Sequence, residues 1–529
     1  MTVQLLKPVA EGRRAEIQHE PQNLSVSVTK AVAALSRVDS IYQQDSALVR
    51  AERGMSGVVL RELGRVVTRM VLTECVVFKS MQMVAKEFVN KSIGPPDAVV
   101  DAVLQCPDRW REAGIRDVTG VSRLPGCDSK GAIIVEGYNQ QYRRLIDFDG
   151  KAYPKIGSTK ADALAAYNRV ADLMVDFPFT TDLDRRVAVS LLITAVHRSF
   201  MRVCPAYLID SPSPEIGKSL VVDLASALLN GRRAQTINPT EDQNEMRKSI
   251  FSMLMAGSQH VAIDNIDITF GGAPFDILIT QEAYPDRKLG VSEMRAPSTV
   301  ALVTLTGRNV QFKGDGALRT IRAQMSTTNE RPGTVTTPRK YPHIFDYVVE
   351  HREQLVSDCV TIARAYLLAG RPNPTGLREF DDWCMRVRDP MVWLGQGDIA
   401  DSIENVRKDS DEIGAMMAEL LNAWFAIHGD DPMVLHDLIK EVRNPPTGPD
   451  KYKYERLSDA IEAFGIDQEK VNSHNALLKR LRPNIGRTFS GMALNHAPRN
   501  KRGLRYAVTA EKKQEAEFTP VDPVDYFAK

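Results

Sequence analysis

The sequence predicts an α/β protein, a mostly parallel sheet covered by helices, with an α+β module before it and a helical module after it. Three observations carry that expectation. Short apolar runs at 206–209, 260–266 and 299–306 alternate with helix-period segments, as buried parallel strands and their crossovers do. Each run ends in polar residues: a Ser/Pro-rich loop, Asp264-Asn265, and Gly307-Arg308-Asn309. The loop after the first run closes on Gly217-Lys218-Ser219 and enters a helix with Leu220, Leu224 and Leu228 in register.

Taken in order, residues 1–40 are polar and weakly periodic, with one amphipathic piece near 28–35, and read as a flexible arm. Residues 41–155 read as an α+β domain. Val58, Leu60, Leu63, Val66, Val67 and Met70 fit a helix face, which residues 76–88 continue. Pro95-Pro96 precedes a helix at 98–104, and three strands follow between Gly120 and Asp149, where Arg143 and Arg144 read as a solvated strand edge. Residues 156–345 form the core, entered through helical texture at 160–200. Asn230-Gly231 supplies a helix C-cap, and Asn238-Pro239-Thr240-Glu241 reads as a helix start. Residues 346–408 are helical and read as a lid, 409–510 as a separate unit, and 511–529 as an acidic tail.

At 529 residues, three or four domains are expected. A hydrophobic share of 43% with 26% charged residues describes a water-soluble chain, and no apolar run reaches membrane-spanning length. Six scattered cysteines without a CxxC pair and nine histidines without ligand spacing argue against disulfides and a structural metal; the expected location is the cytoplasm. The net charge of +1 leaves partners to local patches.

One patch lies near the C-terminus. Residues 470–510 hold no Asp or Glu, yet include Lys479, Arg480, Arg482, Arg487, Lys501, Arg502 and Arg505. Four helix-period segments (413–427, 433–442, 457–464 and 471–481) precede two strand-like runs around a basic turn. Helices followed by a basic hairpin suggest a winged-helix domain binding duplex DNA, with the helix in a groove and the wing on phosphate.

The Ser211–Ser219 stretch has the chemistry of a phosphate loop. Backbone N–H groups and a helix dipole face the loop, Lys218 adds a point charge, and the Ser219 hydroxyl can ligate Mg²⁺. Pro212 stands where that pattern places its first glycine. Asp264, at the carboxyl end of a parallel strand, stands where a phosphate-bound cation would be held.

The loop is followed by NPTEDQNEMRK, HVAIDN, YPDRKLGVSE, VTLTGRN, GDGALRTIR and ERPG, in that order. This succession resembles the AAA+ helicase module of superfamily three, in the poxvirus-primase-like branch carried by phages, plasmids and genomic islands, over about residues 41–389. The resemblance implies a P-loop core in a hexameric ring that hydrolyses ATP with Mg²⁺ and translocates on DNA, with a primase as a separate partner. It implies that Ser213, Pro214, Glu215, Ile216, Gly217, Lys218, Ser219 and Leu220 line the nucleotide and that Ser219 and Asp264 hold the metal. Asn309 would be the first sensor. Arg319, with Arg322 second, would reach a neighbouring subunit's γ-phosphate, and Arg287, Lys288 and Arg295 on a hairpin would grip single-stranded DNA. Asn265 stands where many AAA+ enzymes have a catalytic glutamate, so either Glu241, Glu245 or Asp267 acts as the base or hydrolysis is slow. The rival readings are an AAA+ initiator or loader that melts or positions DNA without processive unwinding, and an inactive P-loop scaffold.

Overall fold

The computed structural model describes residues 14–54, 57–84, 86–288, 293–327, 339–410, 412–448, 450–467, 473–500 and 503–510. The chain divides into two compact units, with the boundary between Lys408 and Asp409, where the sequence placed it.

The first unit opens with a module that departs from the sequence reading in two places. The expected arm is folded from Arg14 onward: strand Ala15–Gln18 pairs in parallel with Val76–Val84, and helix Leu24–Leu35 buries Val28, Ala31, Val32 and Leu35. Those four positions follow the i, i+3, i+4, i+7 rule. The expected helix face at 58–88 is instead strand Gly57–Glu62, helix Arg65–Cys75, and a hairpin of Val76–Val84 with Glu87–Ile93. Val58 and Leu60 obey the strand period as well as the helix period, and Val66 and Met70 are exposed. Helix Asp97–Leu104 and the fully buried Trp110, whose indole donates to the Val103 carbonyl at 2.7 Å, complete this core.

The central layer begins with α1 (Lys160–Asp172) and α2 (Asp182–His197). Both start in capping boxes, Thr159/Asp162 and Thr181/Asp184, which satisfy the first free N–H groups. Five strands follow: β1 (Ala206–Asp210), β2 (Thr236–Ile237), β3 (His260–Ile266), β4 (Leu302–Gly307) and β5 (Thr320–Gln324). All pair in parallel, in the order β2-β3-β4-β1-β5. The protein is thus mixed α/β with a parallel sheet. Strands β2 and β5, the two edges, were absent from the sequence reading; β5 begins inside the GALRTIR motif and ends two residues past it. Both are short runs in which apolar residues alternate with polar ones.

Alternation sends each strand's side chains to two separate cores. Tyr207 and Ile209 pack toward α2 and α3 (Lys218–Asn230), with α1 and α6 (Arg352–Leu368) in the same layer. Leu208 and Leu305 pack toward α4 (Gln243–Met255) and α5 (Ala273–Thr280) on the other face. The lid expected at 346–408 is therefore largely part of the first core, which includes Val356, Val360, Trp383 and Ile399. Helix α4 starts later than Asn238-Pro239 suggested, because Asp242 caps it by accepting from the N–H groups of Asn244 and Glu245. Gly231, at φ +73°, ends α3 as expected. All six cysteines are free thiols, five of them buried.

The second unit has its own core of Leu420, Trp424, Leu438, Leu457, Leu477, Leu494 and Val508. Helices Glu412–His428, Leu435–Arg443, Lys451–Glu462 and Ser473–Leu481 precede an antiparallel sheet of Thr488–Phe489, Met492–Asn500 and Gly503–Ala510. The acidic tail lies outside the described residues.

Candidate functional site

The crossover from β1 runs through α3 on one face of the sheet. That from β4 to β5 runs across the other face, where Phe312 and Ala317 are buried. Adjacent strands whose connections leave on opposite faces open a crevice at their carboxyl ends, the usual ligand position in an open α/β sheet. Here it lies between Asp210 and Gly307, and of the sequence-predicted residues Lys218, Ser219, Asp264 and Asn309 stand at this end of the sheet.

The Ser211–Gly217 loop is shaped by two left-handed residues, Glu215 (φ +56°) and Gly217 (φ +96°). A β-carbon at Gly217 would also approach the Phe177 ring to 3.3 Å. Ser213 N–H donates to Ser211 Oγ at 2.9 Å, and Ser211 Oγ donates to the Ser213 carbonyl at 3.1 Å, closing the first turn. Ile216 is buried in the core and anchors the loop, so its contribution to a ligand is its backbone; Leu220 also packs against that core. Pro212 and Pro214 carry no N–H. Helix α3 begins at Lys218, so the N–H groups of its first turn have no intrahelical partners and point into the loop. Lys218 Nζ donates to the Ser213 carbonyl at 3.0 Å. Burial lowers the lysine's pKa, Asp210 opposes this, Arg308 adds to it and Asp264 opposes it, so all four charges act on one place.

Asp264 is half-buried at the end of β3, and its Oδ1 accepts from Ser219 Oγ at 3.0 Å and from Thr306 Oγ1. Asn265, at φ +62°, leaves the strand register and is exposed, while its N–H donates to Thr306 Oγ1 at 2.9 Å. Asn309, at φ +49°, is exposed beyond β4. Asp210 is buried and accepts at Oδ1 from Ser211 N–H at 2.9 Å and Val310 N–H at 3.5 Å, tying the loop to the Asn309 turn. Burial raises its carboxyl pKa, against the pull of Arg322. Asp210, Thr306 and Arg308 were missed in the sequence. Asp210 is the polar end of the first buried strand and Thr306 that of the third, so the same end-of-strand rule identifies both.

The donor set fits a hard cation. Ser219 Oγ and an Asp264 oxygen are hydrogen-bonded, so one ion can touch both, with phosphate and water completing its shell. Among the described residues no group of three or more His, Cys, Asp or Glu could hold a metal, and a Mg²⁺ bound mainly by phosphate requires none.

The other predicted residues are distributed less simply. Arg319 precedes β5 at the amino end of the sheet, far from its own loop, and pairs with Asp315 at 3.2 Å and Glu379 at 3.0 Å. Arg322 lies on β5, and its charge acts on the Asp210 carboxyl of the same chain. The expected hairpin is present, Asp286–Arg287 pairing with Met294–Arg295, although residues 289–292 lie outside the described set. Arg287 is exposed on it. Lys288 is 3.5 Å from Glu62, and Arg295 is buried against Glu62 (2.7 Å) and Glu293 (3.0 Å), which removes Arg295 from the DNA-gripping set. A long cation beside two carboxylates is more stable paired than facing solvent. Arg144 is likewise no solvated edge: it is 4% exposed. Of the three proposed bases, Glu245 pairs with Lys248, Glu241 and Asp267 are exposed, and none hydrogen-bonds to Asp264 or Asn265.

In the second unit, Lys479 and Arg480 are exposed on helix Ser473–Leu481, with Arg482 exposed just beyond it. Arg487 donates to Asn484 Oδ1 at 3.0 Å and covers the Phe489 ring, while Arg505 donates to the Pro498 carbonyl at 2.8 Å. These five cations have no carboxylate partner among the described residues; Lys501, Arg502 and the ERPG segment lie outside them. No helix among the described residues is long and apolar enough to cross a membrane. No protein-family model matches this chain, and no curated protein matches it.

Proposed function

We propose that this chain is an ATP-driven DNA helicase of a mobile genetic element, acting as a homo-oligomeric ring, with an AAA+ P-loop core and a C-terminal winged helix. The observation that carries the reading is the joining of Ser219 to Asp264 across the crevice, beside a left-handed Gly217 and the start of α3. A hydroxyl, a carboxylate, a lysine and free helix N–H groups at one switch point suit a nucleoside triphosphate with its cation.

The N–H groups of the loop and Lys218 bind the β- and γ-phosphates. Ser219 and Asp264 hold Mg²⁺, which when bound neutralises phosphate charge. Asp210 fixes the turn from which Asn309 orients the attacking water. Asn265, held by Thr306, can orient water but cannot accept its proton, so hydrolysis relies chiefly on electrostatic stabilisation and positioning. Arg287 touches DNA phosphate, a salt-sensitive and sequence-independent contact.

A second reading, an initiator or loader that positions DNA without processive unwinding, is favoured by one observation: Lys288 and Arg295 are held by Glu62 of the preceding module. Strand displacement on forked DNA with ATP separates the two. Wild type displaces a strand, and Lys218→Ala loses both displacement and ATPase activity by at least about a hundredfold. ATPase activity without displacement on either fork polarity selects the loader. No ATPase even with DNA leaves a scaffold.

A further inference from the structure

Arg144 opens the middle strand of a small sheet in which Arg144–Ile146 lies between Gly120–Ser122 and Gly137–Asn139. Its guanidinium makes no hydrogen bond or ion pair among the described residues, and its Nε is buried without a partner. The other buried arginines of this region each have partners, although the Nε of Arg295 and of Arg386 is also buried without one. Arg198 donates to the carbonyls of Ala301 (2.8 Å), Met201 (2.6 Å) and Thr299 (3.0 Å), and Arg386 to the Cys127 carbonyl (2.8 Å) and Tyr142 hydroxyl (2.7 Å). Burial lowers the Arg144 pKa to about 10, and the only charge acting on it besides is another cation, Arg198. An unpaired buried charge is costly and calls for a counter-ion.

The side chain lines two adjoining cavities, of about 290 Å³ and 640 Å³, between this sheet and the amino ends of β3 and β4. That is the end of the parallel sheet opposite the Ser211–Ser219 loop. Gly120 makes the space: a β-carbon there would lie 2.8 Å from Arg144 Nη2. The nearby carboxylates are engaged elsewhere. Asp117 pairs with Arg143 at 2.9 Å, Glu62 with Arg295, Asp382 with Arg202 at 3.4 Å, Asp45 accepts from Ala296 N–H at 2.6 Å, and Glu282, which lines both cavities, lies 4.0 Å from Arg143 and from Arg202. Hydroxyls of Thr119 and Ser298 line the same space.

We propose that Arg144 anchors a second ligand site, separate from the loop, for a small oxyanion: a phosphate monoester or carboxylate of a diffusible molecule. A planar guanidinium open on one side matches the paired oxygens of either group. At 4% exposure it is beyond the reach of a duplex phosphate, which excludes the DNA backbone as the occupant. Cavities of this size suit a ligand between inorganic phosphate and a nucleotide. The site does not depend on the nucleotide reading of the loop.

Calorimetry and thermal melting of the full-length protein test it, with inorganic phosphate and citrate as separate probes to tell the two sources apart, and a short duplex as a third. All are repeated in a Lys218→Ala background, which silences the loop. At least one small anion binds wild type and Lys218→Ala alike. Arg144→Met keeps or raises the melting temperature without anion, because an unpaired charge is replaced by an apolar chain of similar length. It weakens anion binding by about tenfold or more. Should Arg144→Met fail to fold, Gly120→Ala, which crowds the guanidinium, must show the same loss. Equal anion binding in wild type and variant, anion binding that Lys218→Ala abolishes, stabilisation by the duplex alone, or no binding of either anion to wild type overturns the site.

Discussion

Thr306 holds two functional candidates at once, donating to the Asp264 carboxylate and accepting from the Asn265 N–H. Such supporting partners decide whether a named residue faces a ligand. Arg295 faces two carboxylates instead of solvent, and the charge of Arg322 acts on Asp210 of the same chain. Residue environment also sets a pH response. His197 and His260 are buried, which lowers their pKa values to about 3 and about 4. His197 hydrogen-bonds the Cys359 carbonyl at 3.0 Å, and His260 pairs with Thr304 Oγ1 at 2.8 Å. Unfolded histidine takes up a proton near pH 6.5, while these two stay neutral in the fold. Their contribution is therefore fully present above about pH 6.5 and is lost as pH falls toward 4, at up to about 1.4 kcal/mol per pH unit for each. Urea midpoints measured from pH 7 to pH 5 should fall, and His260→Gln should flatten that fall. An unchanged slope in His260→Gln would show that His260 does not titrate on unfolding.

At the scale of elements, the helix Ser473–Leu481 and the sheet after it show how local pattern and chemistry agree. Leu477 and Leu481 are buried on one side of the helix, while Lys479 and Arg480 are exposed on the other. A helix with one face committed to the core presents the other rigidly, as groove binding requires. Replacing Lys479, Arg480 and Arg482 together by alanine should weaken duplex binding and leave nucleotide affinity unchanged. The slope of log affinity against log salt should shrink by roughly 0.9 for each phosphate that these cations neutralise in the wild type. An unaltered slope means these cations do not touch phosphate. Elements were misread where two periods coincide: Val58 and Leu60 satisfy both i+2 spacing and a helix face, and pairing with Ala47–Gly54 decides for the strand.

At the scale of the whole molecule, Arg319 and its own loop lie at opposite ends of the sheet, so under the proposed function this arginine would serve a neighbouring subunit's nucleotide and not its own. Within the chain it is held by Asp315 and Glu379, partners that the proposed assembly would exchange for phosphate. Arg319→Ala should bind nucleotide normally yet lose ATP hydrolysis by roughly a thousandfold or more, the usual worth of an arginine supplied in trans. Mixing it with Lys218→Ala subunits should restore part of the activity, because one subunit keeps its loop and its neighbour keeps its arginine. Full activity in Arg319→Ala alone removes the assignment, and no recovery on mixing removes the trans geometry. The boundary at Asp409 separates two independent cores, so the C-terminal substitutions should leave this behaviour intact.

Features written in neighbouring residues could be read from the chain before any fold was known. Strands β1, β3 and β4 were legible because burial on both faces leaves an unbroken apolar run. The loop and the start of α3 were legible because Gly217, Lys218 and Ser219 stand consecutively at the head of an apolar-periodic helix. What depends on distant partners was settled only by the tertiary structure. It added β2 and β5 at the sheet edges and drew the supposed lid into the core. It also committed Arg295 to Glu62, some 230 residues away, and left Arg144 buried without a counter-charge. Periodicity reports which side of an element is apolar; it carries no information about which charge from another element will stand opposite.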